Sequence, residues 1–444
     1  MGDTDKVVVR RRAELVPLSL NPGRIDAARA DEVARVLLNS AVTLHQRHHS
    51  IDPASPDPAN PKRVSFGLLR MANIEPLVEV ALALFRLGVP DGLRVHLCVY
   101  HSQYPLLLRS AIELRLDNAL KRHDPDAVFK LPDIRQRLDA HPEPDQLFVV
   151  LGSPVTEVGR DHDYDWAVVE PSSMRSIIQL AGRVRRHRPQ ACAAPNIHLL
   201  DHNLRHFIHR DEAAFCKPGY EQNVGSFRLA THALSSLLTG AEYQTIDARP
   251  RIVERQKAEQ RPQHNLVDLE HARTRDRMLV PEVVATPTER RPARGTLPSQ
   301  RPKLNAASWW HLPAQDALLT AFLPQQQPFR ADEGADVDLV LMPNEDGDDF
   351  DLTRVIDADK RRRGAKPQTA RVNSLCRRVP AAEVQGTRIA PWGATDYMAE
   401  LERLATELDL SLEACADTYG TLALRDHDDG WRFHPALGFV PWQG

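Results

Sequence analysis

The sequence has few of the features that mark secreted, metal-stabilised or membrane proteins. Its 444 residues include five cysteines, and none of them forms a Cys-x-x-Cys pair. This pattern argues against a disulfide framework and a zinc ribbon, and it suits a reducing cytoplasm. No segment approaches the ~18 apolar residues that span a bilayer, and the N-terminus lacks the apolar core of a secretion signal. We therefore expect a cytoplasmic protein with no membrane partner.

The chain also lacks an excess of basic charge. Lys and Arg number 57, Asp and Glu number 60, and the net charge is −3. Any attraction to nucleic acid must therefore come from local patches rather than from the field of the whole protein. A chain of this length is expected to hold two or three domains of roughly 100–200 residues each.

The hydrophobic pattern divides the chain into four parts. Residues 1–61 contain an amphipathic helix at 25–49 and a proline-rich segment, so they are predicted to be a helical connector and linker. Residues 62–215 alternate short apolar strands with helices, which predicts an α/β domain with a parallel sheet covered on both faces. Residues 216–304 are predicted to be a helical extension and exposed linker. Residues 305–444 are predicted to be a mostly helical C-terminal accessory domain.

Three polar loops follow the predicted strands of the α/β domain. They occupy 70–73, 100–105 and 152–165. Ligands of parallel sheets bind beyond the carboxyl ends of the strands, so these loops are expected to open on one edge. We expect the arginine-rich segment "QLAGRVRRHR" at 179–188 to face that edge as well.

The arginine-rich segment has two interpretations. A basic helix end is commonly a solvated face, or a helix C-terminus that favours cations. Here, however, the order Gln-x-x-Gly-Arg-x-x-Arg at 179–186 places Arg183 and Arg186 one helical turn apart on a predicted helix that runs to about 187. Two guanidinium groups aimed at one point suit a phosphate.

The acidic run "DHDYD" at 161–165 also has alternatives. Asp161, Asp163 and Asp165 would lie on one face of an extended segment, which suggests a metal site. An EF-hand loop starting at Asp161 needs Gly at its sixth position and Glu at its twelfth, where the chain has Trp166 and Ser172. We therefore predict no metal site and keep a solvated acidic turn as the alternative.

Together these segments resemble a known family. "TEVGRDHDYD" at 156–165 and "QLAGRVRRHR" resemble motifs V and VI of superfamily-two DExH helicases. With "VSFGLLRMANIEPL", "HLCVYHSQYPLLLRSAIE" and "GWRFHPALGFV", they resemble the CRISPR-associated helicase–nuclease of type I systems, subtype I-F (Yersinia type). The likeness covers most of 40–444 and corresponds to the C-terminal half of that enzyme. It implies a RecA-like second motor domain followed by a C-terminal domain.

The resemblance also implies residue roles. Arg183 and Arg186 would be arginine fingers that stabilise charge on the γ-phosphate of ATP. The other residues on the nucleotide side would be Gly159, Asp161, Gln179 and Gly182. The backbone of single-stranded DNA would meet Asn73, Ser102 and Ser153, to which we add Arg70.

The sequence lacks the other half of such an ATP site. No Gly-Lys dipeptide occurs, so there is no P-loop. The Asp-Glu pairs at 31, 211 and 332 do not follow predicted buried strands, and no histidine–aspartate nuclease is recognisable. ATP and Mg²⁺ are therefore expected only in the complex with the missing N-terminal helicase–nuclease half, and any enzymatic role is as part of an ATP-dependent DNA helicase. The resemblance implies single-stranded DNA and the CRISPR RNA-guided surveillance complex as further partners.

Three alternatives remain at this stage. The chain is a non-enzymatic nucleic-acid-binding module that uses its arginine clusters, a decayed gene remnant, or an unrelated α/β enzyme with a chance match. Binding through the arginines alone predicts a steep dependence on salt.

Overall fold

The computed structural model describes residues 8–157, 161–278, 336–356 and 368–442. Within these ranges the strands are β1 (Ala13–Val16), β2 (Ser50–Ile51), β3 (Arg63–Arg70), β4 (Leu93–Tyr100), β5 (Asp145–Gly152), β6 (Trp166–Val169), β7 (Ile197–Leu200), β8 (Asp336–Pro343), β9 (Phe350–Val355), β10 (Thr369–Arg371), β11 (Cys376–Arg378), β12 (Ile389–Pro391), β13 (Thr421–Arg425), β14 (Trp431–His434) and β15 (Gly438–Pro441).

The helices of the same ranges are α1 (Ala27–Arg47), α2 (Ile74–Leu87), α3 (Leu106–Leu120), α4 (Pro132–Ala140), α5 (Met174–Ala181), α6 (Arg205–Ile208), α7 (Leu234–Leu237), α8 (Gly240–Tyr243), α9 (Arg249–Ile252), α10 (Leu266–Met278), α11 (Tyr397–Leu408) and α12 (Leu412–Tyr419). None of them, over the described ranges, combines the length and the apolar character that crossing a membrane requires.

The centre of the molecule is a sheet with the order β1-β7-β6-β3-β5-β4-β12, in which these neighbours are all parallel. The short strand β2 pairs antiparallel with β3. Alternate residues of the central strands enter two different cores: Phe66 and Leu68 pack on one face, and Leu69 packs on the other. A parallel sheet buried on both faces requires this pattern, and the predicted α/β fold is confirmed.

The segment before residue 62 is part of this α/β unit. The strand β1 pairs with β7, and α1 lies against α2, β3 and β6. A buried hydrogen-bonded chain holds α1 to the sheet: His45 Nδ1 lies 2.7 Å from Ser65 Oγ, and Nε2 lies 3.0 Å from Asp145 Oδ1. Ser65 and His45 are 0 % and 1 % exposed, so these contacts hold α1 against the sheet away from solvent.

The prediction of a mostly helical C-terminal domain is wrong for the described residues. The strands β8, β9, β10 and β13 form an antiparallel sheet, and β11, β14 and β15 form a second small sheet, beside the two helices α11 and α12. The strand β12 leaves this region and pairs with β4, so it adds an edge strand to the central sheet. The C-terminal region is therefore mixed α and β, and it is continuous with the first sheet.

The extension after residue 216 packs on the α/β unit through α10. The predicted helix in this region is present at Leu266–Met278. The buried Glu270 accepts hydrogen bonds from the backbone N–H groups of Met174 and Arg175, at the start of α5. Ser173 caps the same helix through a hydrogen bond from the Ser176 N–H.

Candidate functional site

The carboxyl ends of three neighbouring strands lie level with one another. Arg70 of β3 and Tyr100 of β4 are both in register with Gly152 of β5. The residues that follow these strands therefore share one edge of the sheet, as predicted. Those proposed from sequence as backbone contacts for single-stranded DNA are Asn73, Ser102 and Ser153.

These three side chains differ in accessibility. Ser102 is exposed, Asn73 is partly buried and Ser153 is only 3 % exposed. Asn73 precedes α2 as its N-cap, and within the described chain its side chain makes no capping hydrogen bond. It lines a cavity of about 160 Å³, together with Arg24, Arg205 and His209. Glu75 and Glu79 line the same cavity, and Glu75 pairs with Arg24, so the amide of Asn73 lies among charges of both signs at the start of α2.

Arg70 does not lie where DNA can reach it. Its side chain is fully buried, and Nε donates to Glu157 Oε1 at 2.7 Å. The remaining donors are used by Glu170 O at 2.6 Å and by the hydroxyl groups of Ser172 and Ser176 at 2.7 and 2.6 Å. The predicted DNA contact at Arg70 is therefore wrong: Arg70 links β3 to the loop at Glu157 and to the start of α5.

The arginine segment is not helical. The helix α5 ends at Ala181, Gly182 is its C-cap, and Arg185 has a φ of 49°. Val184 forms a parallel bridge with Tyr164, just before β6. Arg183 and Arg186 therefore do not share a helical face, and the prediction based on helical spacing is wrong.

The acidic run that pairs with the arginine segment lies beside the middle of β3. The backbone N–H of Phe66, in the middle of β3, donates to Asp165 Oδ2 at 2.7 Å, and Asp165 is adjacent to Tyr164. At about 3.3 Å per residue, Phe66 and Arg70 are roughly 13 Å apart along β3. Arg183 and Arg186 therefore contact the third of the predicted loops, at Glu157 and Asp161, rather than the ends of β3 and β4. They form a second surface beside the amino end of β6.

Two aspartates of the acidic run hold the arginine segment in place. Asp163, 0 % exposed, accepts hydrogen bonds from the backbone N–H groups of Arg186 and His187. The Arg188 guanidinium bridges Asp163 Oδ1 at 2.7 Å and Asp165 Oδ1 at 2.5 Å. The alternative of a solvated acidic turn is therefore wrong for both aspartates. We call the segments 161–165 and 183–188 the arginine clasp.

A fourth charge completes the clasp. Arg122, which is 2 % exposed, donates to Asp165 Oδ1 at 2.8 Å and lies over the Phe66 ring. Burial alone would raise the pKa of Asp165, but the guanidinium groups of Arg122 and Arg188 lower it below its usual value. The same carboxylates raise the pKa of Arg188 in spite of its burial. Asp165 and Arg188 are therefore held in their ionised forms.

The clasp presents two guanidinium groups that it does not bury. Arg186 is 41 % exposed, and its Nε donates to Asp161 Oδ1 at 2.5 Å. Arg183, which is half-buried, donates to Glu157 O from NH2 at 3.1 Å. Burial and the neighbouring Arg186 charge both lower the pKa of Arg183. Positive charges held this close together favour an anion such as a phosphate.

The remaining predicted nucleotide-side residues lie around these arginines. Asp161 contacts Arg186 directly; burial alone would raise its pKa, but His187 and Arg186 together lower it to about 2. Gln179 is partly buried in the last turn of α5, next to Gly182 at the helix end. Gly159 lies outside the described residues.

Sequence analysis missed several residues that shape this site. Glu157, Asp163, Arg122 and Arg188 are buried or nearly so and carry the contacts that position the arginines. The signal available in the sequence was charge balance, since Asp163 and Asp165 are followed by an excess of arginines within 25 residues. Arg10 and Arg11 also reach the clasp, through the Arg186 and Val184 carbonyl groups.

The sheet order and the helices on both faces define a parallel α/β domain, which is consistent with a RecA-like fold. Two family models match the sequence. CRISPR-associated nuclease/helicase Cas3, C-terminal, matches residues 63–189, and CRISPR-associated Cas3 subtype I-F/YPEST-like, C-terminal domain, matches residues 341–441. The chain belongs to this family of Cas3 C-terminal regions.

Two curated relatives extend the similarity along the chain. The CRISPR-associated nuclease/helicase Cas3 subtype I-F/YPEST of Pseudomonas aeruginosa is 42 % identical over 99 % of this chain, and that of Pectobacterium atrosepticum is 37 % identical over 96 %. The chain spans 37 % and 36 % of the lengths of these relatives. It corresponds to their C-terminal part.

Crystal structures of T. fusca Cas3 are also similar. The one titled with ATP is 17 % identical over 45 % of this chain and 19 % of that chain, with a TM-score of 0.28. The structure titled T. fusca Cas3 alone is 18 % identical, with the same coverage and TM-score. A likeness at this TM-score adds nothing to the fold assignment, which rests on the central sheet.

Proposed function

We propose that this chain supplies the second motor domain and the C-terminal domain of an ATP-dependent helicase–nuclease that translocates along single-stranded DNA in CRISPR interference. The observation that supports this proposal most directly is the arginine clasp. It immobilises the backbone around Arg183 and Arg186 while leaving their guanidinium groups accessible. Arginine fingers need this combination, because they act by electrostatic stabilisation from a fixed position.

The separation of the two surfaces supports the same function. A motor must bind nucleotide and DNA at once, and it must couple the two. Here the polar residues at the carboxyl edge and the arginine clasp are joined by buried contacts: Arg70 binds Glu157, and Glu157 O accepts from Arg183. A shift of the clasp on ATP hydrolysis would therefore be transmitted to the carboxyl edge through Glu157.

The proposal assigns ATP and Mg²⁺ to a composite site. With no Gly-Lys dipeptide in the 444 residues, the contacts to the β-phosphate and to Mg²⁺ come from a P-loop domain outside this sequence. Arg183 and Arg186 would contact the γ-phosphate from the opposite side. The single-stranded DNA, the N-terminal helicase–nuclease half and the CRISPR RNA-guided complex are the proposed partners.

Reconstitution tests the role of the arginines. The chain is mixed with the P-loop and nuclease half of a subtype I-F relative, and DNA-stimulated ATP hydrolysis is measured. We expect Arg186→Ala to lower kcat on the order of 10³-fold. Arg175→Ala is the matched control, because Arg175 is an exposed arginine of α5, the helix that precedes the clasp, and its loss leaves kcat unchanged. Recovered ATPase activity that Arg186→Ala does not reduce would sink the assignment.

The nucleic-acid-binding module is the second candidate, and one observation favours it. Arg10 and Arg11, which precede β1, contact the clasp at the carbonyl groups of Arg186 and Val184. Basic residues from two distant parts of the sequence therefore meet there. Burial and the charges of Arg10 and Arg186 lower the pKa of Arg11 to about 10. Salt-sensitive binding of single-stranded DNA with no ATPase activity in the reconstituted mixture would support the module.

A further inference from the structure

Two histidines and an aspartate meet at the solvent side of the arginine clasp. His123 follows α3, and His187 belongs to the clasp; their rings stack with centroids 3.7 Å apart. His187 Nε2 lies 3.1 Å from Asp161 Oδ1, and His123 Nε2 lies 3.4 Å from Asp161 Oδ2. One ligand atom from each of the three residues lies within 4.8 Å of the other two.

These spacings match those around a tetrahedral metal ion. Zn–N bonds of about 2.0–2.1 Å and Zn–O bonds of similar length place neighbouring ligand atoms roughly 3.3 Å apart. The observed nitrogen–oxygen distances of 3.1 and 3.4 Å are close to that value, but they end on the two different oxygens of Asp161, so His123 must move for both nitrogens to share an ion with one of them. The stacked rings are inclined at 26°, so one ring must turn for both nitrogens to point at one ion. His123 is 70 % exposed and has room to turn.

The state of His187 is a second, independent observation. Its side chain is 7 % exposed, and within the described chain neither ring nitrogen has a well-aligned hydrogen-bond partner. The Asp161 carboxylate is close to Nε2 but is poorly oriented for the N–H bond. A largely buried imidazole that lacks a well-aligned hydrogen bond is costly unless something else satisfies it. A metal ion at Nε2 would do so.

We propose that His123, His187 and Asp161 bind a divalent transition-metal ion of the zinc class, with a fourth position open to solvent. Two imidazoles and one carboxylate favour Zn²⁺, Co²⁺ or Ni²⁺ over Mg²⁺ and Ca²⁺, which prefer oxygen ligands. The site is therefore distinct from the Mg²⁺ that accompanies ATP. Because Asp161 is also the partner of Arg186, metal binding and the Arg186 ion pair compete for one carboxylate.

Cobalt titration tests the site directly. The full 444-residue chain is stripped of metal with a chelator and titrated with Co²⁺, whose visible absorption reports tetrahedral coordination, and Zn²⁺ is then added in competition. We expect one Co²⁺ per chain and its displacement by Zn²⁺. His123→Gln and His187→Gln should each weaken binding at least about tenfold. His209→Gln, at an exposed histidine outside the cluster, is the matched control and leaves binding unchanged.

The Arg186→Gln variant is expected to strengthen metal binding, whereas the histidine variants weaken it. Removing the guanidinium frees Asp161 from an exposed ion pair, so Co²⁺ binding should become about two- to fivefold tighter. Circular dichroism checks that each variant is folded, and the exposure of His123 keeps its variant informative if His187→Gln unfolds. The proposal is overturned by the absence of Co²⁺ binding, by cobalt–thiolate absorption bands, by binding indifferent to both histidine variants, or by weaker binding in Arg186→Gln.

Discussion

Asp163 is the residue on which the geometry of the arginine clasp depends. Its carboxylate accepts two backbone N–H groups and the Arg188 guanidinium, with no exposed surface of its own. These contacts hold the segment after Gly182 beside the residues that lead into β6. The buried carboxylate thereby sets where Arg183 and Arg186 stand, although it is itself too deep to contact a ligand.

Replacing Asp163 should therefore destabilise the protein strongly. Asp163→Ala leaves Arg188 buried with one carboxylate fewer, and breaking a buried pair of this kind costs about 3–5 kcal/mol. Urea denaturation measures the loss in the free energy of unfolding. Asp161→Ala is the control, because Asp161 is 41 % exposed and an exposed pair contributes about 0–1 kcal/mol. Equal losses in the two variants would contradict the role given to Asp163.

At the scale of single residues, the sequence identified the right charges but not their accessibility. Arg70 and Arg186 are both arginines in polar surroundings, yet one is fully buried and the other is 41 % exposed. Arg70 is buried because Glu157, Glu170, Ser172 and Ser176 receive its donors. These partners lie 87 to 106 positions away along the chain, so local patterning carries no information about them.

At the scale of elements, the strands and helices of the α/β domain could be predicted well. The helix predicted at 25–49 corresponds to Ala27–Arg47, because apolar spacing and end signals agree there. The predicted extension of α5 to residue 187 failed. Gly182 ends the helix, and Asp163 then takes the N–H groups of Arg186 and His187 that a longer helix would have used.

The C-terminal region failed as a prediction for another reason. Most of its strands are short, and β8 and β9 are flanked by segments rich in charged residues and proline. The apolar residues of α11, by contrast, recur at helical spacing. The helix was therefore recognised, and the sheets were not. Strand pairing here joins β8 to β13, more than 75 residues apart, and such pairing has no local signature.

The contact between α10 and α5 predicts that the stability of the folded protein depends on pH. Burial raises the pKa of Glu270 to about 7, although Arg251 and the amides of Met174 and Arg175 lower it. In the unfolded chain Glu270 ionises near its ordinary value of 4.5. The folded protein therefore holds the extra proton between about pH 4.5 and 7, and stability falls as the pH rises through that window, by roughly 3 kcal/mol in total.

The variant Glu270→Gln isolates this effect, because it keeps an oxygen acceptor for the amides and does not ionise. Urea midpoints are measured for both proteins from pH 4.5 to 7.5. As the pH rises, the urea midpoint of Glu270→Gln should increase relative to that of the unmodified protein. This difference in midpoint should level off above pH 7. A difference that stays constant with pH would show that Glu270 titrates normally.

At the scale of the whole molecule, the C-terminal strands are docked on the carboxyl edge of the sheet. His101 Nε2 donates to Leu437 O at 2.7 Å, and the Phe439 N–H donates to Gln103 O at 2.8 Å. These contacts lie on either side of Ser102, the exposed residue proposed to meet DNA. Burial lowers the pKa of His101 to about 4, so the imidazole is neutral at physiological pH and donates through Nε2. The C-terminal region thus fixes the conformation of the loop that carries Ser102, for which we propose a DNA contact.

Gly438 tests whether that docking matters. Its φ is 73°, and a Cβ there would stand 2.7 Å from His101 Cε1 and 2.8 Å from Tyr104 Cε2. Gly347 has a φ of 75° and nothing within 4 Å of its Cβ position. Both Gly→Ala changes carry about 1–2 kcal/mol of backbone strain, but only Gly438→Ala forces the loop away from β15.

We therefore expect Gly438→Ala to lower both the thermal midpoint and the affinity for single-stranded DNA, measured by fluorescence anisotropy at fixed salt. Gly347→Ala should lower the midpoint alone. If the two variants bind DNA equally well, the C-terminal strands do not hold the loop in its DNA-binding conformation.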